Sequence, residues 1–159
     1  CGTRHGTDRN DRMNGGPGSN KLYGEGGDDI IWGDASHRTT SRSRRQVDFL
    51  SGGPGDDTIY AGRGRNTVMG GDGNDYLQSN GLSSRLLGGN GADTIRIAAG
   101  GGRVSVDAGA GDDTLWAIIA RGRARVRCGP GNDTVIVSRL RGNRRLVTVA
   151  RDCERRKKG

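Results

Sequence analysis

GGPGDDTIY at residues 52–60, GGDGNDYLQ at 70–78 and GGNGADTIR at 88–96 are three copies of one nine-residue pattern. The pattern reads G-G-x-G-x-D-x-U-x, where U is a large apolar residue. The stretches between them, AGRGRNTVM (61–69) and the poorer SNGLSSRLL (79–87), keep the same register. Upstream the register continues through GTDRNDRMN (6–14), GGPGSNKLY (15–23) and GEGGDDIIW (24–32). Residues 33–51 form one overlong unit in which Asp48 and Leu50 hold the sixth and eighth places. Beyond residue 96, nine- and eleven-residue units alternate, giving a twenty-residue period that repeats Thr94, Thr114 and Thr134. Self-similarity at a short fixed period predicts a solenoid rather than a conventional core.

Composition taken alone points elsewhere. Glycine supplies 31 of the 159 residues, apolar residues only 30%, and the formal charge is +8. Such a chain would read as disordered if its glycines were scattered. Placed in register, they permit tight turns and let carbonyl groups crowd together. The last three residues of each unit then read as a short strand whose middle side chain points inward. That inward column is Met13, Leu22, Ile31, Leu50, Ile59, Val68, Leu77, Leu86, Ile95, Val106, Leu115, Val126, Val135 and Leu146, apolar throughout. Two units make one coil, so units two apart stack and pair in parallel. The expected fold is all-β, a parallel β-roll of two short-stranded sheets with about 18–20 residues per coil. Its expected extent is 6–147, with an insertion loop at about 34–47, an N-terminal tail at 1–5 and a C-terminal cap and basic tail at 148–159.

The repeat resembles the repeats-in-toxin, or haemolysin-type, calcium-binding family, and CGPGNDTV followed by DCE resembles the endings of actinobacterial secreted members. The resemblance implies a calcium-binding, secreted, extracellular module without catalytic machinery. The hydrolase motifs HExxH and GxSxG are absent from the sequence. No apolar run is long enough to span a bilayer. The chain begins at Cys1 and reads as a processed form or an excerpt of something longer. No small-molecule substrate is expected.

Separating alternate units gives the two edges of the coil opposite chemistry. Odd turns carry Asp11, Asp29, Asp57, Asp75, Asp93, Asp113 and Asp133 at the sixth place, the expected metal ligands. Even turns carry Asn20, Asp48, Asn66, Ser84, Val104, Ala124 and Arg144 there. Carboxylates repeating every ~4.8 Å along a roll need a cation between them. Calcium suits them better than magnesium, because it takes six or more flexible oxygen ligands. Seven odd turns leave room for up to six Ca2+ ions along one edge. The even edge is basic, and Arg63, Arg65, Arg121, Arg123, Arg139 and Arg141 are candidate contacts for an anionic glycan or nucleic acid.

Cys128 opens an odd turn and Cys153 falls in the next one, so stacking predicts a disulfide between them. An oxidising, calcium-rich compartment satisfies both features. His5 and His37 read as solvated. Ile30, Trp32, Tyr60, Tyr76 and Trp116 read as an outward stripe beside a threonine column. The leading expectation is calcium binding coupled to folding of a structural or adhesive module. Alternatives are a calcium-responsive folding and secretion module of a larger exoenzyme, or a surface for anionic polymers or ice.

Overall fold

The computed structural model describes residues 2–34, 46–99, 101–119, 122–138, 147–153 and 155–158. Among these, sixteen strands alternate between two sheets of eight, each strictly parallel. One sheet takes β1 (Gly2–His5), β3 (Asn20–Tyr23), β5 (Val47–Pro54), β7 (Arg65–Asp72), β9 (Arg85–Asn90), β11 (Arg103–Ala110), β13 (Arg123–Arg127) and β15 (Val147–Val149). The other takes β2 (Arg12–Asn14), β4 (Ile30–Trp32), β6 (Thr58–Tyr60), β8 (Tyr76–Ser79), β10 (Thr94–Ala99), β12 (Thr114–Ile119), β14 (Thr134–Val137) and β16 (Arg155–Lys158). Each strand pairs with the one two ahead of it, which is the topology of a β-roll with two strands per coil.

The eighth places set the register. Ile31, Ile59, Leu77, Ile95, Leu115 and Val135 pair in succession along one sheet. Leu22, Leu50, Val68, Leu86, Val106 and Val126 do so along the other. All twelve are buried, with Met13 closing the column at one end, while Leu146 lies outside the described residues. A one-residue slip would turn this column to solvent, so burial itself fixes the pairing. The pairing of Leu22 with Leu50 shows that the overlong unit spans a single turn. Residues 35–45 of the insertion, His37 among them, lie outside the described residues.

The period change is absorbed by longer strands. β10 and β12 each run six residues, placing Ile97 and Ala117 as a second inward layer. The roll also reaches past the repeat register at both ends. Gly2–His5 is strand β1 paired with β3, and Arg155–Lys158 is β16 paired with β14. Parallel stacking needs only an extended partner, so segments without the glycine pattern can add to a sheet already formed.

Cys128 and Cys153 form a disulfide, with α-carbons 5.2 Å apart on adjacent stacked turns. On the outer face of the second sheet, Trp32 stacks on Tyr60 with ring centroids 6.1 Å apart, and Tyr60 leans on Tyr76. Thr94, Thr114 and Thr134 pair in register beside them. His5 is more than solvated: it stacks on Tyr23 at 4.8 Å, and its Nδ1 lies 2.6 Å from Glu25 Oε1.

Candidate metal centre

The seven odd-turn aspartates immediately precede the strands of the second sheet and stack on one edge. The backbone N–H of each donates to the Oδ1 of the next. Asp11 donates to Asp29, Asp29 to Asp57 and Asp57 to Asp75, each at 2.8 Å. Asp75 donates to Asp93 at 2.9 Å, Asp93 to Asp113 at 2.8 Å and Asp113 to Asp133 at 3.0 Å. The second oxygen behaves differently. Oδ2 of Asp29, Asp57, Asp75, Asp93 and Asp113 is buried without a hydrogen-bond donor among the described residues. Asp11 is the exception at the exposed end, where Thr7 donates to its Oδ2 through both N–H and Oγ1.

Burying a carboxylate without a partner penalises its charged form. Desolvation pushes Asp57 and Asp93 up to about 7, Asp75 and Asp113 to about 6, and Asp29 upward as well, while neighbouring carboxylates add to the rise. One N–H donor per carboxylate opposes this and does not overcome it. Backbone carbonyls gather on the same edge. Gly53 O faces the α-carbon of Gly71, and Gly71 O faces that of Gly89; Gly55 and Gly73 do the same toward Gly73 and Gly91. The space over Gly52 is bounded by Asp57 Oδ2 and by Gly70 O of the next coil, and the space over Gly70 by Asp75 Oδ2 and Gly88 O. No three acidic, histidine or cysteine side chains converge among the described residues. Each position therefore offers one orphaned carboxylate oxygen among carbonyl oxygens, a hard, all-oxygen donor set. That set fits calcium and not a thiolate- or imidazole-seeking ion.

A second ladder was not read from the sequence. At the fifth place, Asp28 N–H donates to Asn10 Oδ1, Asp56 N–H to Asp28 Oδ1 and Asn74 N–H to Asp56 Oδ1. Ala92 N–H and Asn132 N–H continue it to Asn74 and Asp112. Its bonds run opposite to those at the sixth place, so each odd turn is tied to both neighbours. The recurrence of Asp or Asn at the fifth place was the available signal.

The even edge replaces ions with amides. Asn20 Nδ2 donates to Gly16 O and Gly18 O at 3.1 and 2.9 Å, and Asn66 Nδ2 donates to Ala61 O and Arg63 O at 2.8 and 3.3 Å. The side chain thus satisfies turn carbonyls that a cation would otherwise need to gather. Ser84, Val104 and Ala124 follow, all buried. Asp48 alone breaks the pattern. It is buried, Asn20 N–H donates to its Oδ1, its Oδ2 has no donor among the described residues, and desolvation raises it to about 6. Asp48→Asn should therefore raise stability by about 1 kcal/mol, supplying the amide its neighbours already use, and should leave calcium stoichiometry unchanged. Asp75→Asn should lower that stoichiometry by at least one ion. Calorimetric titration of both variants checks the contrast.

Of the basic candidates, Arg65 and Arg123 open strands β7 and β13, and Arg63 is exposed in a turn. Arg121, Arg139 and Arg141 lie outside the described residues, as does Arg144. Arg85, Arg103 and Arg125, from neighbouring strands of the same sheet, line one open groove with Arg65 and Arg123.

The family model for the RTX calcium-binding nonapeptide repeat, in 4 copies, matches residues 5–39, 46–77 and 87–117, more than half of the chain. No curated protein and no solved structure matches it.

Proposed function

The chain belongs to the RTX calcium-binding nonapeptide-repeat family, and from that membership we propose that calcium ions seat along its aspartate edge and thereby drive the roll to fold. The observation that carries the reading is the row of buried Oδ2 atoms, from Asp29 to Asp113, that lack a hydrogen-bond donor among the described residues. Asp11, Asp29, Asp57, Asp75, Asp93, Asp113 and Asp133 would hold the ions, with the carbonyls of the glycine turns completing each set. A bound divalent cation supplies the positive charge that offsets desolvation of the carboxylates. The protein's own contribution is to space those carboxylates by one strand and to hold each with a single backbone N–H. The role is structural: a scaffold ordered by the metal, with no reaction assigned to it. Because weak calcium sites fill at the levels outside cells, and because of the Cys128–Cys153 disulfide, we place the protein in an extracellular setting.

Isothermal titration of the full chain tests this. Several calcium ions per chain should bind, at most six, with a cooperative profile, because each ion orders the turns shared with its neighbours. Magnesium at equal concentration should not reproduce the heat, since it demands a rigid octahedron and gives up water reluctantly. One ion or none would overturn the reading.

A further inference from the structure

On the outer face of the first sheet, at its even-turn end, an open groove of about 720 Å³ crosses strands β7, β9, β11 and β13. Five arginines line it: Arg65, Arg85, Arg103, Arg123 and Arg125. All five are exposed, and none has an ion pair among the described residues. No acidic side chain and no aromatic ring is among the described residues that line the groove. Like charges on adjacent strands destabilise a sheet, yet Arg103 and Arg123 are direct cross-strand neighbours. Folding gains nothing from that arrangement, whereas an anionic ligand would.

The register gives the groove a repeat. Thr67, Arg85, Ser105, Arg125 and Thr148 pair in succession across five strands, so hydroxyl and guanidinium alternate rung by rung. Two residues nearer the turns, Arg103 pairs with Arg123, and Arg65 adds a further guanidinium two strands away. The four strands that carry the arginines span ~14 Å at ~4.8 Å per rung. A linear sugar chain advances by about one pyranose per rung, and alternate rungs then meet charge and hydroxyl.

We propose that this groove binds a linear sulfated polysaccharide laid along the roll axis, with sulfate groups on the guanidinium forks and sugar hydroxyls on Thr67, Ser105 and Thr148. Guanidinium pairs bidentately with such oxyanions. The choice of sulfate over carboxylate rests on the calcium reading: in millimolar calcium, uronate carboxylates compete for the cation, while sulfate monoesters hold it weakly. The choice of sugar over nucleic acid rests on the groove's own lining, which holds no aromatic ring; Phe49 stands one rung outside it, beyond Thr67. Single-stranded nucleic acid binders stack bases on such rings.

The test uses the full chain in millimolar calcium and fluorescent chondroitin sulfate oligosaccharides of two to eight sugars, read by anisotropy. Unsulfated chondroitin of equal length, which keeps the uronates, should bind at least tenfold more weakly, and equal binding would overturn the choice of sulfate. Affinity should rise with length and level off at about four to six sugars, the span of the groove. Arg85→Ser with Arg125→Ser should weaken binding at least tenfold, and the corresponding pair of lysines should restore part of it. Arg12→Ser with Arg96→Ser, which removes equal charge from the opposite sheet, should change it less than twofold. Equal losses from the two serine pairs would overturn the proposal, as would tighter binding of an oligothymidylate of matched charge. Circular dichroism of the same samples separates the two readings. A chain that fails to fold in calcium refutes the calcium reading, whereas a folded chain that does not bind the sugar refutes the groove alone.

Discussion

Stripped of calcium at pH 7.5, the chain should lose its β-structure, and the same calcium-free chain should regain part of it at pH 5. The folded carboxyls of Asp57 and Asp93 sit at about 7 and those of Asp75 and Asp113 at about 6, against 3.8 for the ordinary group, and burial is the main cause. A carboxyl raised in the folded state stabilises the fold relative to its ionised form below about pH 4. That advantage is lost as pH rises through 6 to 7. At neutral pH each such group costs on the order of 3 kcal/mol when no cation is present. Several of them together rival the whole stability of a domain. At pH 5 the folded carboxyls of Asp57, Asp75, Asp93 and Asp113 are protonated, which removes about half of that cost. Far-ultraviolet circular dichroism of dialysed protein, with and without millimolar calcium at both pH values, reads the outcome. Identical spectra with and without calcium at pH 7.5 would refute coupling of binding to folding. A calcium-free chain no more structured at pH 5 than at pH 7.5 would refute buried charge as the reason.

Gly71→Ala should unfold the roll even in saturating calcium, with a loss of roughly 3 kcal/mol or more. Gly71 has φ +137°, a conformation side chains rarely adopt. Its added methyl would also run into the Gly53 carbonyl of the preceding coil. That carbonyl belongs to a paired strand and cannot swing aside without breaking the ladder between β5 and β7. The first place of the repeat is more tolerant, since Ala108 and Cys128 occupy it with side chains buried. Gly2→Ala, with open space around it, serves as the control and should leave the melting temperature within a degree or two. A Gly71→Ala protein melting with the parent would show that the turns are looser than their carbonyl stacking implies.

The architecture was legible because two independent periodicities agreed. The eighth-place column from Met13 to Val135 fixed which side chains go inside, and the invariant sixth-place aspartates of the odd turns fixed the phase of the coil. Counting residues 33–51 as one turn kept those aspartates on one edge, and the pairing of Leu22 with Leu50 agrees. Direction and partner choice were not legible. A spacing shows that Asp28 and Asp56 stack, but not that the N–H of each later turn donates back to the earlier one. Asn20 and Asn66 stood in the sequence only as sixth places without a carboxylate, and nothing there showed that their amides take the turn carbonyls themselves. Gly2–His5 lacked any repeat signal, and its place in the sheet comes from pairing with Asn20–Tyr23. The basic edge was legible, Arg65 and Arg123 included, but Arg85 and Arg125 were missed for a related reason. Forty residues apart, they meet Ser105 only once the twenty-residue coils are laid in register.

A solenoid of near-identical units faces a hazard of assembly: a coil can dock one step out of place and still put aspartate on aspartate and leucine on leucine. The odd edge is blind to that mistake. The even edge carries an address, because its buried sixth places read Asn20, Asp48, Asn66 and Ser84 before changing to Val104 and Ala124. A coil displaced past Asn66 would set Ser84 or Val104 where Asn66 Oδ1 accepts the Asp48 N–H. A valine there would leave that buried N–H unanswered. The irregular edge thus proofreads what the regular edge repeats.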